Sequence, residues 1–407
     1  MEATISLRRA VQPLLAHDPE DRAVSAFCAA VLNGLRRSNQ RDKGMLYLSG
    51  LLSARGRKTV RNIASPVGDR AVEQSLHHFV ANSTWADAAV RGALARRLDR
   101  AVRPMAWVVE PMTVVKAGTR SVGVSNAFVP QLGRVANNQQ AVGLWLATEG
   151  LSFPVNWRLV LPPEWLDDKE RRRRAEIPDD LAAVTPEECA VDAVVEAAED
   201  WRLNRRAVVL DARHGQLAPV IGEFSFRAIP ALLRVDGDTE LLVTEPSVPG
   251  YGAGPVTAAR LAASLKGLRL PVPWHEGTHR TDARATLAVA ARVVLPTVRG
   301  RAGASARPHP LVLLAEWDHA GQPARRFWIA TFTSGSPAAL VRLTRLTRQV
   351  RRDFAEVGTA VGLRDFEGRS FRGWHHHVTL ASAAHAIVSL SSAGLLGEAT
   401  KPAEDVA

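Results

Sequence analysis

Cysteine is almost absent from this chain: there are two, Cys28 and Cys189, far apart and without a CxxC spacing. That excludes a cysteine zinc site and leaves two free thiols, both in segments that read as buried helix. Long apolar runs are missing as well. No stretch could span a bilayer, and the first twenty residues (MEATISLRRAVQPLLAHDPE) lack a continuous signal-peptide core, so a cytoplasmic location is expected. Acids are outnumbered, with 41 against 52 basic residues and a net charge of +11, and nearly all the basic side chains are arginine. A surplus of that sign suits a polyanion, because cations placed on phosphates release counterions and arginine can grip a phosphate through two donors. A GC-rich genome would produce the same arginine bias.

What is present is an ordinary globular balance, 46% hydrophobic and 23% charged over 407 residues, enough for two or three domains. Residues 1–100 read as helices, with apolar positions three and four apart in Val24–Leu35, Lys43–Leu52 and Val72–Val80. Arginines and lysines gather at the helix junctions. Lys58–Ala64 followed by Pro66–Asp69 has the scale of a helix-turn-helix, and equally of a helical cap with a solvated basic face.

From Ala101 the texture turns to strands: Ala106–Val109 ending at Glu110, Ser121–Val124, Ala141–Ala147 after a loop over Val129–Asn138, and Val155–Leu161. Lys169–Arg174 (KERRRR) is a charge run of the kind that usually lies on a solvated face. Thr185–Ala198 reads as a helix with Thr185 as N-cap, Pro186 in the first turn and Glu187 and Glu188 at its positive end. Ala207–Leu210 is a buried strand ending at Asp211, with His214 close behind. Leu311–Trp317 and Arg326–Thr331 form a hairpin, and Pro337–Val361 is the longest helical pattern, with Ser336 as its N-cap and Gly362 as its end. Phe366–His377 leads into a last apolar helix, Val378–Leu390. The three histidines His375–His377 cannot share one helix face, so they read as packing and hydrogen bonding beside Trp374 rather than a metal site. A hydrolase triad of Ser121, His214 and Asp211 lacks a GxSxG elbow.

Several blocks taken together resemble the bacterial insertion-sequence DDE transposases: Gly50–Ala64, Leu76–Trp85, Lys116–Val124, Leu132–Ala147 and, above all, Gly362–Ala386 (GLRDFEGRSFRGWHHHVTLASAAHA). The resemblance covers roughly residues 25–390. It implies an α/β fold, an RNase-H-like mixed-sheet core with a β-rich insertion, preceded by an N-terminal all-helical domain. The implied divisions are a helical DNA-binding domain at 1–100, core segments at 101–224 and 306–393, an insertion at 225–305 and a disordered tail at 394–407. It also implies double-stranded DNA as partner, a homodimer on paired DNA ends, a place on the nucleoid, and Mg2+ or Mn2+ held by two Asp and one Glu. Such metals activate a nucleophile and stabilise the leaving oxygen in phosphoryl transfer.

Only one of the three acids stands where the family pattern puts it, Asp211 in VVLDARHG. The first position reads Glu110-Pro111-Met112-Thr113 in place of Asp-Asp-Thr-Gly, moving the carboxylate by one methylene and removing a backbone donor. Counting back from Glu367 puts Arg351 at the third. The nearest acids, Asp353 and Glu356, lie about 200° and 500° further round the helix. Two unit charges about 4 Å apart interact by about 4 kcal/mol at an effective dielectric of 20, and a divalent ion doubles the repulsion. Arg351 is therefore expected to pair with Glu110 and Asp211 and to fill the metal site with a guanidinium.

Three functional readings follow. In the first, the chain binds DNA without strand-transfer chemistry, as a decayed copy or a recruited regulator. In the second, it is an active transposase using Glu110, Asp211 and a displaced acid such as Glu356. In the third, its basic surface serves protein contacts alone. DNA contacts are expected at Lys58, Arg61, Arg134, Arg369 and Arg372.

Overall fold

The computed structural model describes residues 19–129, 132–275, 283–296 and 309–401. Among the described residues five helices come first: α1 (Pro19–Leu32), α2 (Ser38–Ser53), α3 (Val60–Ala64), α4 (Arg70–Ala81) and α5 (Asp87–Val102). Side chains cap two of these helices at their starts. Thr59 accepts from Asn62 N to cap α3, and Asp69 accepts from Ala71 N and Val72 N to cap α4. A short turn over Ser65–Asp69 joins the two. Gly50 lets α2 abut α3, because a Cβ there would lie 2.3 Å from the Ile63 carbonyl oxygen.

The sheet begins with β1 (Ala106–Val115), β2 (Val124–Val129), β3 (Arg134–Ala147) and β4 (Ser152–Leu159). β3 runs antiparallel to the other three. After the short helices α6 (Pro163–Leu166) and α7 (Lys169–Arg174), α8 (Pro186–Val195) and a π turn over Glu196–Asp200 cross to β5 (Ala207–Asp211). α9 (Leu217–Phe226) then crosses to β6 (Ala231–Val235). β5 lies parallel to β1, and β6 parallel to β5. The lateral order β4–β3–β1–β5–β6, antiparallel first and parallel after, is the RNase-H-like arrangement the sequence implied. The strands nearest the centre read as continuous apolar runs because helices cover them.

The sheet does not stop there. β7 (Glu240–Val243), β8 (Val256–Thr257), α10 (Ala258–Ser264), β9 (Leu270–His275), β10 (Ala283–Val294), β11 (Leu311–Trp317) and β12 (Arg326–Ala330) follow. β12 pairs with β6, then β11 and β10 continue outward, giving a twelve-stranded sheet among the described residues. β6 and the β11–β12 hairpin belong to one continuous surface. α11 (Pro337–Asp353) runs across β1 and its neighbours, with Ser336 accepting from Ala339 N. α12 (Phe371–Ser392) packs on β4 and on α2, α4 and α5, tying the helical region to the sheet. No helix of the described residues is long and apolar enough to cross a membrane.

Several segments differ from expectation. The strand expected at Ser121–Val124 instead runs over Val124–Val129 as β2, after a turn at Ser121–Gly123. β1 passes through Glu110 and Pro111 to Val115; Pro111 is tolerated there because pairing with β5 has ended at Val108. β3 starts at Arg134, inside the expected loop, because its polar residues are satisfied within the sheet. Asn138 donates to Ala127 O and Ala136 O, and Gln139 to Val122 O. α12 starts at Phe371, seven residues early, capped by Ser370. In the expected tail, α13 (Leu396–Thr400) buries Leu396 and Ala399, and Arg97 donates to the Ala399 carbonyl. The stretches 1–18, 297–308 and 402–407 lie outside the described residues, and with them the end of the expected tail.

Candidate active site

Parallel pairing brings the two predicted acids together. Val108 is in register with Val209, and two further residues along each strand set Glu110 beside Asp211. Asp211 is in turn opposite Arg234 across β5 and β6. Glu110, Asp211 and Arg234 thus form one row across three strands. α11 lies over β1 and lowers Arg351 onto that row.

Arg351 Nε donates to Glu110 Oε1 at 2.8 Å. Glu110 is only 8% exposed, whereas the Arg351 side chain is 49% exposed. Burial raises the Glu110 pKa; the guanidinium opposes this without cancelling it, and the Asp211 charge adds to the rise. Asp211 does not share Arg351, contrary to expectation. Arg213, two residues on, holds both its oxygens at 2.8 Å through Nε and Nη2, and Arg234 Nη1 stands 3.6 Å away. Burial pulls Asp211 upward, but the Arg213 hydrogen bonds and charge and the Arg234 charge carry it below the usual aspartate value. The bidentate neighbour wins because it needs no approach from another element.

The displaced acids fare differently. Asp353 turns into the core, where Ser152 Oγ donates to it at 2.7 Å and Gln349 at 2.9 Å. Glu356 is exposed on the π turn after α11 and does not line the pocket that Glu110 and Arg351 share. His214 is exposed, and both oxygens of Asp211 are already held by Arg213, so no hydrolase triad forms. A divalent cation does not fit these residues. Each carboxylate is matched by a guanidinium, and among the described residues no group of three or more His, Cys, Asp or Glu could hold a metal ion.

Of the expected DNA contacts, Lys58 is drawn inside the fold and not displayed on the surface. It is buried, its ammonium donates to the Ala54 carbonyl, and its backbone N–H donates to Asp365. Arg61 and Arg134 are exposed. Arg372 is half-buried and stands 3.2 Å from Glu176. Arg369 is exposed and opens onto a cleft of about 760 Å³ shared with Thr119, Arg120, Trp165, Arg171 and Arg174. Arg171 is pinned there, 3.9 Å over the Trp165 ring and donating to Thr119 O. Arg120, Arg213 and Arg234 were missed by sequence reasoning. Arg234, a lone charge inside the apolar strand ALLRV, was the detectable signal.

His375–His377 take the packing role expected of them. His376 stacks on Trp85 at 3.7 Å, its ring nitrogens 2.9 Å from Val80 O and 3.0 Å from Trp85 O. His377 lies between Tyr47 Oη and Gly362 O, each 2.8 Å from a ring nitrogen. Because a carbonyl only accepts, Nε2 carries the proton and Tyr47 donates to Nδ1. Burial lowers all three pKa values, His375 to about 3.

A family model described as DDE superfamily endonuclease matches residues 30–294, a span that carries Glu110 and Asp211 and ends before α11. Over 127 residues the chain is 28% identical to a Microchaete diplosiphon protein named "Probable transposase for insertion sequence element IS701", covering 30% of this chain and 33% of that one. The likeness therefore spans about a third of that relative's length. With the strand order and the two acids at adjacent strand positions, the match to well over half of the sequence means that the chain belongs to the DDE superfamily of endonucleases.

Proposed function

We propose that this protein is a transposase-family DNA-binding protein that does not perform metal-dependent cleavage or strand transfer. One observation carries the reading: the Arg351 guanidinium sits 2.8 Å from Glu110 while Arg213 clamps Asp211. Phosphoryl transfer of this family's kind needs converging carboxylates free to ligate a cation. Here the acids are spent on arginine. DNA binding is supported separately by the +11 net charge and by the arginine cleft at Arg120, Arg171, Arg174 and Arg369. A homodimer on paired DNA ends and a place on the nucleoid belong to the same reading.

The test is cleavage of duplex DNA carrying the neighbouring genomic ends, in magnesium and in manganese, alongside a binding assay. The natural chain is expected to bind and not to cut. Arg351→Glu with Glu110→Asp leaves Asp211 clamped, so recovery of cutting is expected only when Arg213→Ser is added. Metal-dependent cutting by the natural chain would overturn the reading.

A further inference from the structure

Beside the acid row lies a pocket of about 330 Å³, with Glu110, Thr113, Leu132, Arg351, Phe354 and Arg364 among its walls. Its charge is inverted relative to a site for a cation. Its walls carry one carboxylate, Glu110, against two guanidiniums, Arg351 and Arg364, while Asp211 beside it is held by Arg213 and approached by Arg234. Arg351 spends only Nε on Glu110; among the described residues its two Nη groups have no partner. Arg364 rests over the Phe354 ring at 4.3 Å and pairs with no acid among the described residues. Ring stacking fixes its stem and leaves the donor fork open.

We propose that this pocket is an anion seat, in which Arg351 and Arg364 hold a DNA phosphate directly with no divalent cation between. The inference rests on the DNA-binding reading above and goes further, because it assigns the contact to the very place where the acids stand. A pocket of unpaired carboxylates repels a phosphate until metal neutralises it. In this pocket the neutralising charge is covalently part of the chain, and two guanidiniums offer the paired donors that match phosphate oxygens. The exposed apolar side chains Val115 and Leu132 on the same wall suit a deoxyribose alongside.

The experiment measures binding of a mixed-sequence duplex to the full chain, in EDTA and in magnesium, across a salt series. The natural chain is expected to bind equally in both. Arg364→Ala should weaken binding roughly tenfold, the size of one charge-assisted contact, and reduce the salt slope by about one. Arg364→Lys, which keeps the charge and loses the fork, should fall between, and Lys401→Ala, paired with Glu398 away from the pocket and the arginine cleft, should match the natural chain. DNA binding that survives Arg364→Ala unchanged overturns the seat and leaves the proposed function standing. Binding abolished by EDTA overturns it too. If the natural chain binds no DNA, the proposed function fails, and inorganic phosphate decides the seat: thermal protection lost in Arg364→Ala keeps it as a site for free phosphate, and no protection ends it.

Discussion

The joint around α12 and the acid row across β1, β5 and β6 both bury polar groups, but they satisfy them differently. At the joint, the histidines' partners include the backbone carbonyls of Val80 in α4, Trp85 in the segment before α5 and Gly362 in the turn before α12. At the acid row, the partners are arginine side chains that reach in from solvent, Arg351 being half-exposed. Backbone partners survive most substitutions nearby; side-chain partners are single residues and can be exchanged one at a time. The difference says what each region is for: the joint holds the helical region on the sheet, and the row sets what charge the site presents.

The largest effect is therefore expected at the joint. His376→Ala removes the ring stacked on Trp85 and the one N–H that the neutral ring can donate to a buried carbonyl, a loss of about 3–5 kcal/mol measured as a shift in urea midpoint. A loss below about 1 kcal/mol would place the strength of the joint elsewhere. Gly362→Ala comes next, at about 2–3 kcal/mol. Gly362 has a φ of +79°, and an added Cβ would lie 2.5 Å from the Lys58 Cβ, so backbone and packing both resist it. Gly368→Ala sharpens the comparison between strain and space, because its Cβ meets only the far end of the Phe366 ring, which can turn aside. Its cost should be smaller than that of Gly362→Ala in the same measurement.

Much of the core was legible because burial leaves a mark in composition. AWVV and AVVL are apolar on both faces since helices cover the sheet, and Thr185 and Ser336 cap helices as their patterns say. Arg351 was legible through an ungapped spacing from Glu367. Its link to Asp211 was not, because the competitor, Arg213, gains its advantage from side-chain direction at a strand end. Arg234 reaches Asp211 through the β5–β6 register, a fact of pairing and not of sequence order. Lys58 reads as surface charge in a basic stretch, yet the Asp365 loop closes over it. The start of α12 was hidden because three adjacent histidines look polar until each finds its partner in another segment.

The smallest predicted effect tests the acid row itself. Arg351→Ala takes the guanidinium from a nearly buried Glu110 beside Asp211, and because Arg351 is half-exposed the loss at neutral pH is about 1 kcal/mol. Its pH dependence identifies the cause. The folded-state pKa of Glu110 is raised by burial, so between the ordinary glutamate value and that folded value the native state holds the proton more tightly than the unfolded chain. Stability from this group is present below the ordinary value and is lost as pH rises through the folded one. Without Arg351 the folded value climbs further, and the loss deepens on the alkaline side. Asp211 works in the opposite sense: its lowered pKa gives stability that disappears only as pH falls through its folded value, and Arg213 keeps it in the variant. Urea unfolding of the natural chain and of Arg351→Ala should thus differ less on the acid side of the Glu110 folded value than on its alkaline side. An equal difference on both would mean that Arg351 stabilises by packing, and that Glu110 carries no charge for it to neutralise.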